Sequence, residues 1–260
     1  MEKALLSSLV TAAFAVSSSF AIQGTTSPYS DPAGDINADI ISHINSSGSG
    51  TLDILGMEVS NDATDITFTL TVNGNISTTG WGSFMIGIAT GGTGTTTGNG
   101  WNRPINLSSP IGGMDYWIGS WVDSGGGSDL YSYGATSWNF PSTPAGFSLA
   151  AGASSTISYT LTLLSLGLAP NDVFYFDAYS SFSGGRGLNT AIDALSNPNV
   201  SVTGLGQTYT SSTTGTGGVG LNSYQVVPEP TTYALLALGA LGMAGYAARR
   251  RAQKARTGPA

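Results

Sequence analysis

Apolar and polar side chains alternate with a period of two in several stretches of this chain, the pattern of strands with one buried face. The clearest stretch is 66–72, in which every second residue is apolar and the residues between are Thr67, Thr69 and Thr71. In the preceding stretch, 52–59, the apolar positions change phase at Gly56, which predicts a β-bulge. Two neighbouring strands are therefore expected near the start of the domain.

Later stretches extend this pattern. Residues 157–163 alternate in the same way, and the strand expected at 115–123 is followed by a glycine turn and a returning strand, which predicts a hairpin. Residues 173–179 are apolar on both faces, which is typical of a central strand. A last strand is expected around 224–226, whereas residues 190–195 predict one helical turn.

Composition narrows the fold class to all-β. The 260 residues include 37 glycines and abundant serine and threonine, which disfavour helices through backbone entropy and competing side-chain hydrogen bonds. There is no cysteine, so the fold must be held by its core or by bound metal. We predict a single antiparallel β-sandwich, jelly-roll-like, over residues 22–227, with a Gly/Ser/Thr-rich loop at 211–220.

The two ends of the chain have the sequence patterns of targeting segments. Residues 1–21 combine one lysine, an apolar run and small residues before Ala21, as in a signal peptide. Residues 231–248 are apolar or small and make a helix of about 27 Å, close to the thickness of a bilayer core. The basic tail 249–260 follows at once, which places that end in the cytoplasm and residues 22–227 on the far side of the membrane.

Charge is divided unevenly between these parts. The formal net charge is −7, but six of the eight basic residues lie in the terminal segments. Residues 22–227 hold 13 acidic residues against Arg103 and Arg186, a net charge near −11. So acidic a domain repels nucleic acid, which we exclude as a partner, and attracts divalent cations.

The C-terminal segment resembles a known family of sorting signals. Val227, Pro228, Glu229 and Pro230 precede the apolar helix, and the basic cluster comes after it, composed of Arg249, Arg250 and Arg251. This order is similar to the PEP-CTERM signal of Gram-negative bacteria that make exopolysaccharide. The resemblance implies export by the secretion machinery, an inner-membrane-anchored precursor, processing by an exosortase-type membrane protease, and release to the cell surface or extracellular matrix. The alternative is an ordinary single-span anchor.

Aspartates at the start of the domain are candidates for a metal site. Asp31 and Asp35 flank Pro-Ala-Gly, a tight turn that brings carboxylates together, although a solvated turn has the same composition. The opening Asp-Pro-x-Gly-Asp and the strands over 52–72 resemble family 9 carbohydrate-binding and DOMON-like β-sandwich domains. That resemblance implies structural calcium held by Asp31 and Asp35, with Asp53 as a third ligand. Asp177, in the central strand, must be paired with Arg186 or with calcium.

Trp117 and Trp121 lie on one face of the strand at 115–123. If the opposite face is core, the two rings form an outer aromatic strip on which sugars stack. If the tryptophan face is core, they are packing residues, the commoner fate of large aromatics.

The functional expectation is a structural or adhesive surface protein associated with exopolysaccharide. A carbohydrate-binding module using exposed aromatic rings is the alternative. An Asp-based glycoside hydrolase is the third possibility, and the sequence argues against any enzyme because it has no cysteine and a single histidine. Beyond structural calcium we predict no cofactor.

Overall fold

The computed structural model describes residues 27–39, 49–78, 82–139, 141–144, 146–182, 189–212, 220–228, 239, 241–247 and 249–250. The predicted signal peptide, Arg186 and most of the predicted membrane helix lie outside the described residues. Residues 241–247 are helical, and Leu241, Met243 and Tyr246 are exposed there. Among the described residues, no helix combines the length and apolar character needed to cross a membrane.

Strands dominate the described part of the chain. They are β1 Tyr29–Ser30, β2 Ile54–Asn61, β3 Asp65–Asn73, β4 Ser83–Ala89, β5 Ile105–Ser109, β6 Gly112–Gly113, β7 Tyr116–Trp121, β8 Gly127–Ser132, β9 Gly146–Ala150, β10 Ser154–Thr162, β11 Val173–Ser181, β12 Asp193–Ala194, β13 Tyr209–Ser212 and β14 Asn222–Gln225. Short 3-10 helices cover Ser49–Leu52, Ile76–Thr78, Asp123–Gly125 and Leu163–Leu166.

Two antiparallel sheets form the body. The first sheet has the order β1-β2-β3-β10-β9, and the second has the order β12-β11-β4-β7-β8, with β14 also pairing with β11. The β2–β3 register shifts between Ile54 and Gly56. This shift confirms the β-bulge that the change of phase predicted. The strands expected at 66–72, 157–163, 173–179 and 224–226 are confirmed as β3, β10, β11 and β14.

The core lies between the facing sides of these two sheets. Phe68 of β3 contacts Phe174 and Phe176 of β11 edge-on, with ring centroids 6.0 Å apart in each pair. The Tyr159 hydroxyl on β10 meets the Ser120 hydroxyl on β7 at 2.7 Å. All five side chains are fully buried, so apolar packing joins the sheets and one polar pair is satisfied within the packing.

A third, small sheet covers the outer side of the second sheet. It has the order β13-β5-β6, and its β13–β5 pair is parallel, which the antiparallel prediction did not include. A side chain at Gly87 of β4 would collide with Met114 and touch Leu107, and one at Gly119 of β7 would collide with the Trp101 indole. The central strand β4 of the second sheet is therefore covered on both faces, which explains why it is buried along its whole length.

Two local predictions were wrong. Residues 190–195 do not form a helical turn, because Asp193 and Ala194 pair with Ser180 and Tyr179 as the edge strand β12. The Gly/Ser/Thr-rich loop does not begin at 211, since Ser211 and Ser212 belong to β13. In both places, pairing with a neighbouring strand determined the backbone conformation. The local sequence pattern does not show which strand a segment pairs with.

Candidate functional site

Asp31 and Asp35 of the N-terminal turn meet Asp193, about 160 residues further along the chain, at one edge of the body. Ligand oxygens of Asp31, Asp35 and Asp193 all lie within 4.8 Å of one another. We call these residues the aspartate cluster. Carboxylate oxygens at such distances repel one another unless protons or a cation neutralise them.

The turn that carries two of these aspartates is held in place by Asp53. Its carboxylate accepts hydrogen bonds from the Gly34 backbone N–H at 2.9 and 3.1 Å and from the Asn73 side-chain amide at 2.9 Å. The Asp31 N–H donates to the Leu55 carbonyl, which continues the β1–β2 pairing into the turn. Asp53 therefore positions the turn and is not one of the three clustered carboxylates.

Asp193 reaches the cluster from the second sheet. It is fully buried on β12, and its carboxylate accepts the Ile54 N–H at 2.7 Å and the Ala194 N–H at 2.8 Å. The first of these bonds links β12 to β2 of the first sheet. The cluster thus lies where the N-terminal turn, the first sheet and the second sheet meet.

Some oxygens of the cluster have no donor. Asp31 is 8% exposed, and its Oδ2 and both carboxylate oxygens of Asp35 are buried without a hydrogen-bond partner in the described part of the chain. Burial, and then the neighbouring carboxylates beginning with Asp193, raise the pKa of Asp31 to about 9. Burial is also the main cause that raises the pKa of Asp193 to about 7 and the pKa of Asp35 above its usual value.

Asp177 lies outside the cluster and is satisfied by protein donors. Its carboxylate accepts the Ala178 and Ser196 backbone N–H groups and the Ser196 and Ser211 hydroxyls. Burial nevertheless raises the pKa of Asp177 to about 6. Of the four aspartates expected to bind calcium, the structure thus places Asp31 and Asp35 together and gives Asp53 and Asp177 other partners.

Sequence reasoning missed Asp193. The local pattern predicts a helical turn there, yet a carboxylate inside the apolar run Ala191 to Leu195 is itself a signal, because a buried charge requires a partner. The same argument holds for Asp177, and it marks Asp193 as a buried carboxylate that needs a partner without saying which one.

Of the predicted aromatic strip, Trp117 is buried and Trp121 is half-buried in the structure. Trp117 is fully buried and stacks on Tyr179 with centroids 6.0 Å apart, and Trp121 packs against Trp101 at 6.4 Å. The face opposite the tryptophans is the core between the two sheets, as in the first of the two expected cases. The outer face is nevertheless covered by the third sheet and the Trp101 loop, so the Trp117 ring is not available for stacking on a sugar.

The body ends at the start of the C-terminal tail. Val226 is fully buried, and Asn61 holds Val227 by accepting its N–H at 2.9 Å and donating to its carbonyl at 3.0 Å. The Tyr224 hydroxyl donates to the same Asn61 oxygen at 2.9 Å. Pro228 is exposed, and Glu229, Pro230 and Arg251 lie outside the described residues, while Arg249 and Arg250 are exposed.

Comparison with known proteins bears on this tail. No curated protein matches the chain. Residues 226–251 match the PEP-CTERM protein-sorting motif, a match that supports export, a membrane-anchored precursor and processing by an exosortase. The resemblance of residues 31–72 to carbohydrate-binding domains has no support from these comparisons. Residues 226–251 thus match a protein-sorting motif that begins where the described β-sheet body ends.

Proposed function

We propose that this chain is a structural or adhesive protein of the cell surface or extracellular matrix, associated with exopolysaccharide and released from its membrane-anchored precursor by exosortase. The β-sheet body is the functional part, and the signal peptide and the sorting tail serve its delivery. The proposed role is not enzymatic.

The observation that carries this proposal is the position of the motif relative to the fold. Among the described residues, Val227 makes the last hydrogen bonds of the body, and Pro228, the first exposed residue of the matched motif, follows immediately. Cleavage at or after Pro228 would leave β14 and the Asn61 contacts intact. A body that is complete before the processing site can be released in its folded form.

The surface chemistry of the body supports a matrix role. Residues 22–227 carry a net charge near −11 and few charged side chains in total, so solubility depends on serine, threonine, asparagine and glycine. Threonines line the outer face of the first sheet, where Thr67 and Thr69 meet Thr160 and Ser158 across the strands at 3.2 Å. Such a hydroxyl-rich face offers the donors and acceptors that polysaccharide hydroxyls bind.

The buried state of the acidic groups argues against hydrolysis of a sugar chain. Asp177 is fully buried, Asp193 is fully buried and Asp31 is 8% exposed. A glycosidase needs its two carboxyl groups on either side of a bound sugar. Asp177 and Asp193 instead accept hydrogen bonds from backbone N–H groups, Asp177 also accepts two serine hydroxyls, and Asp31 lies beside Asp35 and Asp193.

Processing is tested with the full-length chain expressed in a host that contains the exosortase and in the same host without it. Intact-mass analysis of surface material is expected to show loss of the N-terminal segment and of the residues after the motif. A variant with Pro228, Glu229 and Pro230 replaced by alanine should keep its tail, whereas the control Thr232→Ala should be processed. Recovery of the Arg249–Arg251 tail in surface material of the unchanged protein would contradict the processing step.

The association with exopolysaccharide requires a separate measurement. The processed protein should sediment with the matrix of a strain that makes exopolysaccharide and should appear in the medium of an otherwise identical strain that makes none. Equal partition in the two strains would exclude this association while leaving export and processing unaffected.

A further inference from the structure

The aspartate cluster has the composition and spacing of a site for a hard cation. Two oxygens bound to one calcium ion at 2.3–2.6 Å are at most about 5 Å apart. The ligand oxygens of Asp31, Asp35 and Asp193 satisfy this limit pairwise. All are carboxylate oxygens, the ligand type that calcium prefers.

The second observation is the set of buried oxygens that the protein leaves without donors. Asp31 is more than nine-tenths buried, and its Oδ2 and both oxygens of Asp35 accept no hydrogen bond within the described chain. Removing a carboxylate from water without a compensating partner is unfavourable by several kcal/mol. A solvated turn does not require this arrangement, because its carboxylates would face water.

The surroundings of the cluster add negative charge to it. Asp53, which holds the turn through Gly34, acts electrostatically on all three clustered aspartates, and Asp177 acts on Asp31. Asp35 is half-buried, and Pro32, Ala33 and Gly34 of the same turn are exposed, so the cluster lies next to solvent that can supply further oxygens. Calcium accepts six to eight oxygens in irregular geometry, which suits three carboxylates and solvent better than the strict octahedron of magnesium.

We propose that Asp31, Asp35 and Asp193 bind one calcium ion, which fastens the N-terminal turn to the edge strand β12 and to the first sheet. The ion joins segments about 160 residues apart in a chain without cysteine. It performs the cross-linking that disulfides provide in other exported domains. The site does not depend on the proposed role in the matrix.

The test uses the full-length chain in mild detergent, stripped with EDTA and dialysed against metal-free buffer. Calcium chloride at about a hundred times its Kd should raise the melting temperature by about 5–10 °C. Magnesium chloride should raise it less, and sodium chloride at equal ionic strength should not. Calorimetric titration should give one calcium ion per chain.

Asp35→Asn and Asp193→Asn should each remove the response to calcium, whereas Glu58→Gln, which removes one exposed carboxylate from β2, should keep it. In EDTA, Asp35→Asn should melt at a temperature no lower than the unchanged chain, because it removes the repulsion between the Asp35 carboxylate and its neighbours. In calcium, Asp35→Asn should melt at a lower temperature than the unchanged chain. An unchanged chain that melts identically in EDTA and in calcium, or an Asp35→Asn variant that still responds, would overturn the proposal.

Discussion

Trp117 distinguishes a packing role of the tryptophans from a sugar-binding role. Its side chain is fully buried on β7 and stacks on Tyr179 of β11, beneath the third sheet. Replacing a buried tryptophan by alanine typically lowers the free energy of unfolding by about 3–5 kcal/mol, because apolar area is lost and a cavity remains. For a domain of this size each kcal/mol corresponds to roughly 2–4 °C in melting temperature. Trp117→Ala should therefore lower the melting temperature by about 10 °C.

Trp117→Phe is the matched control. Its ring keeps the stack on Tyr179, and the substitution removes an Nε1–H that is buried without an acceptor among the described residues. We expect Trp117→Phe to cost well under half as much as Trp117→Ala in thermal unfolding of the full-length chain. If Trp117→Ala melts within about 2 °C of the unchanged protein and loses binding to host exopolysaccharide, the ring is a ligand-binding residue and the packing argument is wrong.

Buried contacts of Asp177, Gly119 and Ser120 give three further predictions about stability. Burial raises the pKa of Asp177 to about 6 from an ordinary value of 3.8. The stability that this raised pKa contributes is therefore fully present below pH 3.8 and is lost as the pH rises to 6. In EDTA, the stability of the unchanged chain relative to Asp177→Asn should thus fall by up to about 3 kcal/mol between pH 4 and pH 7 in urea unfolding, and a constant difference would contradict the raised pKa. Gly119→Ala should cost about 1–3 kcal/mol because its methyl group meets a buried indole, whereas Gly204→Ala, with open space around it, should have little effect on the melting temperature. Ser120→Ala should destabilise the chain more than Tyr159→Phe, because only Ser120→Ala leaves the buried tyrosine hydroxyl without its partner; equal urea midpoints would refute this.

The local pattern of the sequence determined the strands that have one buried and one polar face. In β3 the apolar side chains are fully buried and the threonines are half-buried, as the alternation predicted. The bulge at Gly56 was also predictable, since a change of phase in a period-two pattern requires an extra residue. The sorting motif was recognisable from sequence because its signal is linear, and an apolar segment bounded by Pro-Glu-Pro and arginines does not depend on tertiary contacts.

Tertiary structure alone decided what covers each face. Alternation in β7 places Trp117 and Trp121 on the face opposite Ile118, but it gives no information about the third sheet. That sheet is formed by residues 105–113 and 209–212, and it buries the outer face. The parallel pairing of β5 with β13 joins segments about 100 residues apart. Such pairing depends on the packing of the whole body, so the local pattern in either segment cannot specify it.

In the aspartate cluster, too, the local sequence determined one part of the arrangement and the tertiary structure determined the other. Turn chemistry at residues 31–35 placed two carboxylates close together because their separation along the chain is short. The third carboxylate, Asp193, joins them through β12, whose position depends on pairing with β11 and on its hydrogen bond to Ile54. Local spacing thus determined that Asp31 and Asp35 lie close together, and the long-range packing of the sheets determined that Asp193 joins them.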